Sequence, residues 1–238
     1  MHRLPVDASQ LDCASPVLSK AVARHLKVLR PDEGEEVELF DGKGGWRVYA
    51  YSRGSLVATG ERLFEPRPKR GIVLFACVTK GSRWDWTIEK ATELGVSEIV
   101  PVISDRTIVR VPTSERAAKR ERWLRIAEDA ARQSDAKWIP VISEPLDFPD
   151  ALARVPSTAC LVGALTDPPP REIDAALGEL ADDPRPVAAF IGPEGDFTPE
   201  ELSALIAVAT PVSFGSRVLR AETAAIFAVS VIRSRYHE

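Results

Sequence analysis

Two segments near the C-terminus share one arrangement, a short apolar run followed by a glycine loop and then a helical pattern. The first run, VAAFI at 187–191, is apolar throughout, which favours a strand buried on both faces of a parallel sheet. The loop GPEGDF follows at 192–197. TPEE at 198–201 then supplies an N-cap hydroxyl, a proline at the first helical position and a glutamate three residues after the cap. This part of the chain is therefore constrained to fold as strand, tight loop and helix.

The second copy of the arrangement is shorter. A strand predicted at 212–214 is followed by Gly215 and by the segment VLRAETAA at 218–225. Apolar residues recur at helical spacing from Glu222 to residue 236, and Glu222 falls where an acidic side chain complements the helix dipole. Both loops are interpreted as ligand-binding loops, because glycine lets the backbone turn sharply and approach a ligand without a Cβ in the way.

Apolar runs alternate with helical patterns after residue 70, which predicts an α/β domain with a mainly parallel sheet. Helices are predicted at 84–94 and over roughly twenty residues from 113 or 114. The remaining strands of this domain are predicted at 72–78, 99–103 and 159–162.

A polar segment with two prolines, 65–70, marks the expected domain boundary. Before it, three strands and a basic helix predict a small β-barrel, and the strands are expected at 35–40, 46–51 and 55–64. The predicted domains are residues 1–68 and 71–238.

The net charge of −4 over 238 residues argues, taken alone, against a nucleic-acid partner. Its distribution changes that conclusion, because residues 1–70 carry 12 Lys and Arg against 10 Asp and Glu, whereas residues 71–238 carry 19 against 25. Cations near the N-terminus recur at intervals of three or four. Either a solvated surface helix or a phosphate-binding helix would explain this pattern. These cations are Lys20, Arg24, Lys27 and Arg30.

Composition also narrows the class of protein. The hydrophobic content of 45% suffices for a sizeable core, and neither a signal peptide nor a membrane-spanning run is found, so we expect a cytoplasmic protein. The cysteines and histidines lack metal-ligand spacing, and no metal or disulfide is expected. Cys77 and Cys160 lie in apolar runs typical of buried free thiols. The absence of G-x-G-x-x-G and G-K-[ST] motifs argues against Rossmann and P-loop cofactor sites.

Motifs along nearly the whole chain resemble the bacterial small-subunit ribosomal RNA (uridine-N3)-methyltransferases of the SPOUT superfamily. In order they are RHLKVLR at 24–30 with LFDG at 39–42, KGSR to EKATELGV within 80–96, QS and IP within 133–140, GPEG at 192–195 and VLRAET at 218–223. The chain departs from the family pattern at two places. Asp196 stands where the family usually has a second glycine, and 135–137 reads Asp-Ala-Lys where a basic residue usually comes shortly after Gln-Ser.

The resemblance implies a C-terminal SPOUT domain with a trefoil knot and an N-terminal PUA-like β-barrel that helps to grip RNA. It implies S-adenosylmethionine as cofactor, small-subunit ribosomal RNA as partner, within the small subunit or its precursor, and a homodimer. Thr223 either contacts a ligand or serves the helix start. The cofactor contacts are expected from Leu161, Val162, Gly163, Ile191, Gly192, Pro193, Glu194, Gly195, Phe214, Gly215, Val218, Leu219 and Thr223.

Methyl transfer to uracil N3 requires alignment of the reacting atoms and stabilisation of the anionic base. Arg220 is the candidate for that stabilisation because a guanidinium stays charged, although a salt bridge with Glu222 or Glu194 would explain it equally. Either carboxylate would accept the N3 proton or orient Arg220, and the sequence does not choose between them. We therefore name Arg220 and Glu222 as the candidate catalytic pair.

RNA phosphates are expected to bind cations in both domains, and the target uridine is expected to leave its stack. Two other interpretations stay open: a non-catalytic RNA-binding protein of the same fold, and a SPOUT enzyme that modifies another RNA base. The candidate RNA contacts are Arg24, Lys27, Arg30, Lys80 and Arg83.

Overall fold

The computed structural model describes residues 1–166 and 168–236 and divides into two compact units. The first unit comprises residues 1–67 with 128–139, and the second comprises 68–127 with 140–238. Residues 237 and 238, the end of the second predicted domain, lie outside the described residues. The units also differ from the predicted domains in the segment 128–139, which belongs to the first unit rather than to the second.

The first unit contains a five-stranded sheet. Strand β1 pairs in parallel with β2, the order continues antiparallel through β3 to β4, and β5 pairs with β3. The single strand predicted at 55–64 is two strands, because the chain leaves the ladder between them and the Gly60 carbonyl accepts a hydrogen bond from the Arg47 side chain at 2.7 Å. The strands are β1 (His2–Pro5), β2 (Glu36–Phe40), β3 (Gly45–Ser52), β4 (Ser55–Ala58) and β5 (Leu63–Phe64).

The basic helix α1 (Lys20–Leu29) packs against this sheet through Leu26. The Ser19 hydroxyl caps it by accepting from the Val22 amide at 3.3 Å. Arg30 was predicted to share the helix face with Arg24 and Lys27, but it is the left-handed residue that ends the helix, with φ of 49°. The reason is local, since Pro31 follows and disfavours the α conformation in the residue before it.

A buried ion-pair cluster attaches the segment 128–139 to the first unit. The Lys137 ammonium lies 2.5 Å from a carboxylate oxygen of Glu38, and only 7% and 2% of these two residues are exposed. Arg3 lies 3.5 Å from Glu38 and 2.9 Å from Asp135, and Asp135 also pairs with Lys137. Lys137 is therefore a structural cation and cannot serve as the basic RNA contact that the resemblance placed near it.

Among the described residues, the second unit contains seven strands that are all parallel, in the order β12-β10-β11-β6-β7-β8, with β9 also pairing with β7. Strands β6 and β11 are buried along their whole length, as their apolar sequences predict. This confirms the predicted α/β fold with a parallel sheet. The strands are β6 (Ile72–Cys77), β7 (Glu98–Ile103), β8 (Val141–Ile142), β9 (Leu146–Asp147), β10 (Ala159–Gly163), β11 (Val187–Ile191) and β12 (Thr210–Val212).

Helices cover this sheet, and α6 begins with the predicted capping box. The Thr198 hydroxyl accepts from the Glu201 amide at 3.2 Å, and the Glu201 carboxylate accepts from the Thr198 amide at 3.0 Å. Helix α7 packs on β6, β11 and α2. The helices of this unit are α2 (Ser82–Glu93), α4 (Phe148–Arg154), α5 (Ile173–Glu179), α6 (Pro199–Ile206) and α7 (Ala221–Tyr236). Helix α3 (Thr113–Ser134) is divided between the two units after residue 127. Within residues 1–166 and 168–236, none of the helices is both long and apolar enough to cross a membrane.

All three cysteines are free thiols, and two of them lie in the core of the second unit. Cys77 and Cys160 are 1% and 5% exposed, and burial raises the pKa of each thiol to about 12. Both side chains are therefore protonated at neutral pH and are poor nucleophiles. Cys13 is partly exposed.

We expect one thiol, Cys13, to react with a chromogenic disulfide reagent in the native protein at mildly alkaline pH. The other two should react only after a denaturant unfolds the second unit. Absorbance of the released thiolate measures this, with Cys13→Ser as the control that removes the fast phase. Fast labelling of all three thiols would contradict the burial described above.

Candidate active site

A cavity of about 390 Å³ lies at the carboxyl ends of the neighbouring strands β10, β11 and β12. Ligands of parallel α/β sheets bind at this edge, and the volume falls in the range of about 300–1,000 Å³ typical of small-molecule sites. The cavity wall consists of Arg83, Gly163, Ala164, Leu165, Ile191, Gly192, Pro193, Glu194, Asp196, Val212, Ser213, Phe214, Gly215, Arg217, Val218, Leu219, Arg220, Ala221 and Ala224.

The loop 192–197 that forms one side of the cavity is anchored at its end. Phe197 is 4% exposed and packs on Phe190, with ring centroids 5.7 Å apart, and on Phe148 at 6.1 Å. The Arg106 guanidinium donates to the carbonyls of Gly195 at 3.0 Å and Phe197 at 3.2 Å. The hydrogen bonds to its backbone carbonyls and the packing of Phe197 in the core thus hold the loop, which positions its remaining residues at the cavity.

Asp196 takes the conformation that glycine would take in this loop. Its φ is 60°, in the left-handed region where a side chain costs about 1–2 kcal/mol and where aspartate is among the better tolerated residues. Its amide donates to the Pro193 carbonyl at 2.9 Å, and its carboxylate accepts from the Phe197 amide at 2.8 Å. The departure from the family glycine therefore leaves a closed turn.

The opposite side of the cavity is formed by Gly163 and by the residues after β12. A Cβ on Gly163 would lie 2.6 Å from the Phe214 ring, so a side chain at this strand end would displace Phe214. Phe214 also packs edge-on against Phe227 of α7, with centroids 5.7 Å apart. Gly215 has φ of 103°, which turns the chain back toward the start of α7.

Three guanidinium groups and two carboxylates belong to the described cavity wall. Arg83, at the start of α2, is 3.4 Å from Glu194, and both side chains are partly exposed to solvent. Arg217 and Arg220 are exposed, and neither side chain makes a hydrogen bond or ion pair within the described residues. The salt bridges considered for Arg220, with Glu194 or with Glu222, are thus not formed, and its charge is available to a ligand.

The structure brings most of the predicted cofactor and catalytic residues together. Ten of them line the cavity: Gly163, Ile191, Gly192, Pro193, Glu194, Phe214, Gly215, Val218, Leu219 and Arg220. Arg83, predicted as an RNA contact, lines it as well. Five others are not among the described lining residues: Leu161, Val162, Gly195, Glu222 and Thr223.

Each of these five has a local explanation. Leu161 and Val162 are buried inside β10, and the Gly195 carbonyl is taken by Arg106. Thr223 is exposed in the first turn of α7. Glu222 lies in the same turn, and its Oε2 atom is buried without a hydrogen-bond partner among the described residues.

Sequence reasoning missed several wall residues. Ala164 and Leu165 continue the chain beyond β10, and Ala221 and Ala224 begin α7. Arg217 carried a signal that could have found it, because it is a second arginine three residues before Arg220 in the same loop. No sequence signal could have placed Arg83 of α2 in this wall, since residue 83 is far from residue 194 along the chain.

Comparison with known proteins agrees with this geometry. A family profile described as an RNA methyltransferase domain matches residues 65–233, which include the whole cavity wall. The chain belongs to this RNA methyltransferase family. A second profile, described as an RNA methyltransferase PUA domain, matches residues 18–58 of this methyltransferase.

Two relatives with similar sequences carry the same name. Ribosomal RNA small subunit methyltransferase E of Synechocystis is 34% identical, over 98% of this methyltransferase and 77% of the relative. The Bacillus subtilis protein of the same name is 32% identical over 64% of this methyltransferase and 61% of the relative.

Solved structures with similar folds include two with a ligand bound. The crystal structure of ribosomal RNA small subunit methyltransferase E from Neisseria gonorrhoeae, bound to S-adenosyl methionine, has a TM-score of 0.83 and 27% identity, and covers 99% of this methyltransferase and 97% of that chain. A Legionella pneumophila methyltransferase structure with bound cofactor SAM has a TM-score of 0.80 and 27% identity, with coverage of 98% and 96%.

Proposed function

We propose that this RNA methyltransferase is a SPOUT enzyme that transfers a methyl group from S-adenosylmethionine to N3 of a uridine in small-subunit ribosomal RNA. It acts in the cytoplasm as a homodimer, on the small subunit or its precursor. The names of the relatives and the ligands of the two solved structures support this proposal. The observation that carries it is the cavity at the carboxyl ends of β10, β11 and β12, with the unpaired Arg220 in its described wall.

The wall fits an adenosyl group with an attached charged chain. Apolar side chains from three segments, Ile191, Phe214 and Leu219 among them, offer surfaces for a flat base. Gly192 and Gly215 let the main chain approach closely, and the carboxylates of Glu194 and Asp196 offer negative charge to a cationic ligand. When bound, S-adenosylmethionine supplies an electrophilic methyl group on a sulfonium sulfur.

The strand order supports a trefoil knot. Strand β11 lies between β6 and β10, although β10 precedes it in the chain, and α7 returns after β12 to pack on β6 and β11. The C-terminal segment thus comes back to strands formed far earlier. General topology rules do not predict a knot, because ordinary folds avoid threading, and the knot is therefore part of the proposal.

Arg220 stabilises the negative charge that develops on uracil oxygens as N3 loses its proton. The Arg220 guanidinium has no partner among the described residues, so no ion pair has to break before it binds an oxyanion, and charge placed at a developing oxyanion is a large contribution at many active sites. Glu194 lines the cavity whereas Glu222 is absent from the described wall, so Glu194 is the carboxylate that accepts the N3 proton. Glu222 lies in the first turn of α7 outside the described wall, and we assign it no part in the proton transfer.

Arg83 links RNA binding to Glu194. Its ion pair with Glu194 is partly exposed, and such pairs contribute only about 0–1 kcal/mol. An RNA phosphate that binds Arg83, with Lys80 close by in the chain, therefore replaces Glu194 at little cost. Glu194 is then free to accept a proton.

The test of the proposed reaction is transfer of tritiated methyl groups from S-adenosylmethionine to small ribosomal subunits from a strain that lacks this gene. Mass spectrometry of the nucleosides should detect N3-methyluridine. Methyl label on another nucleoside would reject the assigned base, and absence of label together with absence of calorimetric heat on cofactor titration would reject the enzyme.

The exposed cations of α1 are expected to bind RNA phosphates, so that the first unit contributes to RNA binding. Replacing Arg24 and Lys27 together by glutamate should weaken binding of small-subunit ribosomal RNA at moderate salt, and the salt dependence of binding should fall by an amount equivalent to about two phosphate contacts. Filter retention measures this. Cofactor affinity should not change, and unaltered RNA retention would show that the helix face is only solvated surface.

A further inference from the structure

An exposed aromatic cluster lies on the first unit outside the residues 18–58 matched as a PUA domain. Phe64 in the two-residue strand β5 is 63% exposed, although it is a large apolar side chain. Its ring meets Trp138 edge-on, with centroids 6.0 Å apart and planes at 82°. The Arg67 guanidinium lies over the Trp138 ring, 4.5 Å from its centroid.

This cluster is held rigidly by the backbone around it. The Trp138 indole nitrogen donates to the Glu65 carbonyl at 2.9 Å. Gly44 lies directly beneath the indole, because a Cβ on Gly44 would come within 2.7 Å of it, and Gly44 has φ of 93°. The Gly44 amide donates to the Lys137 carbonyl at 3.0 Å. The aromatic rings are therefore fixed before any ligand arrives, while most of the Phe64 ring remains in solvent.

Two exposed cations flank the cluster, and the exposed Glu65 lies next to Phe64 in the chain. Arg67 and Lys43 are both exposed, and the segments that carry them flank Trp138, since Lys43 forms an isolated bridge with Trp138. Protein interfaces are enriched in aromatic residues and arginine but depleted of lysine, whereas single-stranded RNA is bound by aromatic rings that stack on bases beside lysines and arginines that contact phosphates. The chemistry of this surface matches RNA.

We propose that Phe64, Trp138, Arg67 and Lys43 form a stacking platform for an unpaired base of single-stranded RNA. None of the four belongs to the described cavity wall. The proposal rests on the proposed function in taking RNA as the ligand. Phe64 offers the free ring face, Trp138 holds it in place with Arg67 packed on the indole, and Lys43 contacts a flanking phosphate.

The test is fluorescence anisotropy of a short fluorescein-labelled oligouridine with the full chain. Phe64→Leu keeps an apolar side chain of similar size and removes the ring, and it should weaken binding about tenfold, within the range found when a stacking ring is removed. Phe64→Tyr keeps the ring and should bind like the wild type. Leu63→Ala, an exposed change in the same strand, is the matched control and should have no effect.

A second measurement tests the phosphate contact of Lys43 separately from base stacking. Lys43→Ala should reduce the salt dependence of oligouridine binding by about one phosphate contact. Equal affinity of Phe64→Leu and the wild type would overturn the platform and leave the surface to a protein partner, and failure of the wild type to bind oligouridine would overturn it too. Because this assay contains no methyl donor, its result does not depend on whether the chain methylates N3 of uridine.

Discussion

Arg220→Ala is expected to lower the rate of methyl transfer by about 10²–10³-fold, the usual loss when one preorganised donor to a developing oxyanion is removed. The side chain is exposed in the cavity wall, and its removal breaks no hydrogen bond or ion pair within the described residues. The fold and the affinity for S-adenosylmethionine should remain. Tritiated methyl transfer to small subunits, circular dichroism and calorimetric titration measure the three quantities.

Two further variants show whether charge or geometry matters at this position. Arg220→Lys keeps a positive charge but loses the planar pair of donors, and it should recover only part of the rate. Arg235→Ala removes an exposed arginine at the other end of α7, roughly 20 Å away along the helix axis, and should transfer methyl groups normally. Full activity of Arg220→Ala would exclude this residue from the reaction.

Lys137→Met is expected to reduce the free energy of unfolding of the first unit by about 3 kcal/mol, the lower part of the range for breaking a buried pair. The substitution leaves the Glu38 carboxylate buried, and of its described partners only Arg3, at 3.5 Å, remains to balance it. Hydrogen exchange of the backbone amides of β2 and β3 in increasing urea should report the loss, because both strands belong to this unit.

The double variant Glu38→Gln with Lys137→Met separates two contributions to the loss of stability. One is the missing attraction between the two charges, and the other is the cost of leaving the Glu38 carboxylate buried without Lys137. It leaves no unbalanced buried charge and should recover most of the stability, since apolar or neutral replacements of a whole buried pair are often tolerated. Glu36→Gln, at an exposed position of the same strand, is the control and should change stability little. A single variant as stable as the wild type would mean that the buried pair makes no net contribution.

Local chemistry made much of this fold predictable. Buried parallel strands appear as continuous apolar runs, so β6, β10 and β11 were found within one residue of their ends. The capping box at Thr198 and Glu201 places the start of α6 without any tertiary information. The short helices α4 and α5 were not predicted, because seven residues offer too few turns to show a helical period.

Only those residues of the candidate site that lie within one contiguous loop could be predicted from the sequence. The glycines and Arg220 stand in contiguous segments, and the resemblance assigned them before any geometry was known. Arg83 joins the wall from α2, and Lys137 is withdrawn into the first unit by Glu38, which is 99 residues earlier in the chain. Such contacts depend on tertiary packing, and no periodicity or spacing in one sequence encodes them.

The return of residues 128–139 to the first unit has a consequence for synthesis on the ribosome. The N-terminal sheet cannot pair the Glu38 carboxylate with Lys137 or cover Gly44 with the Trp138 indole until residue 138 has left the exit tunnel, when more than half of the chain has been made. A fragment that stops at residue 67 would lack both contacts. The N-terminal unit is therefore not a portable module, and its maturation during translation must wait for the end of α3 and the loop that follows it.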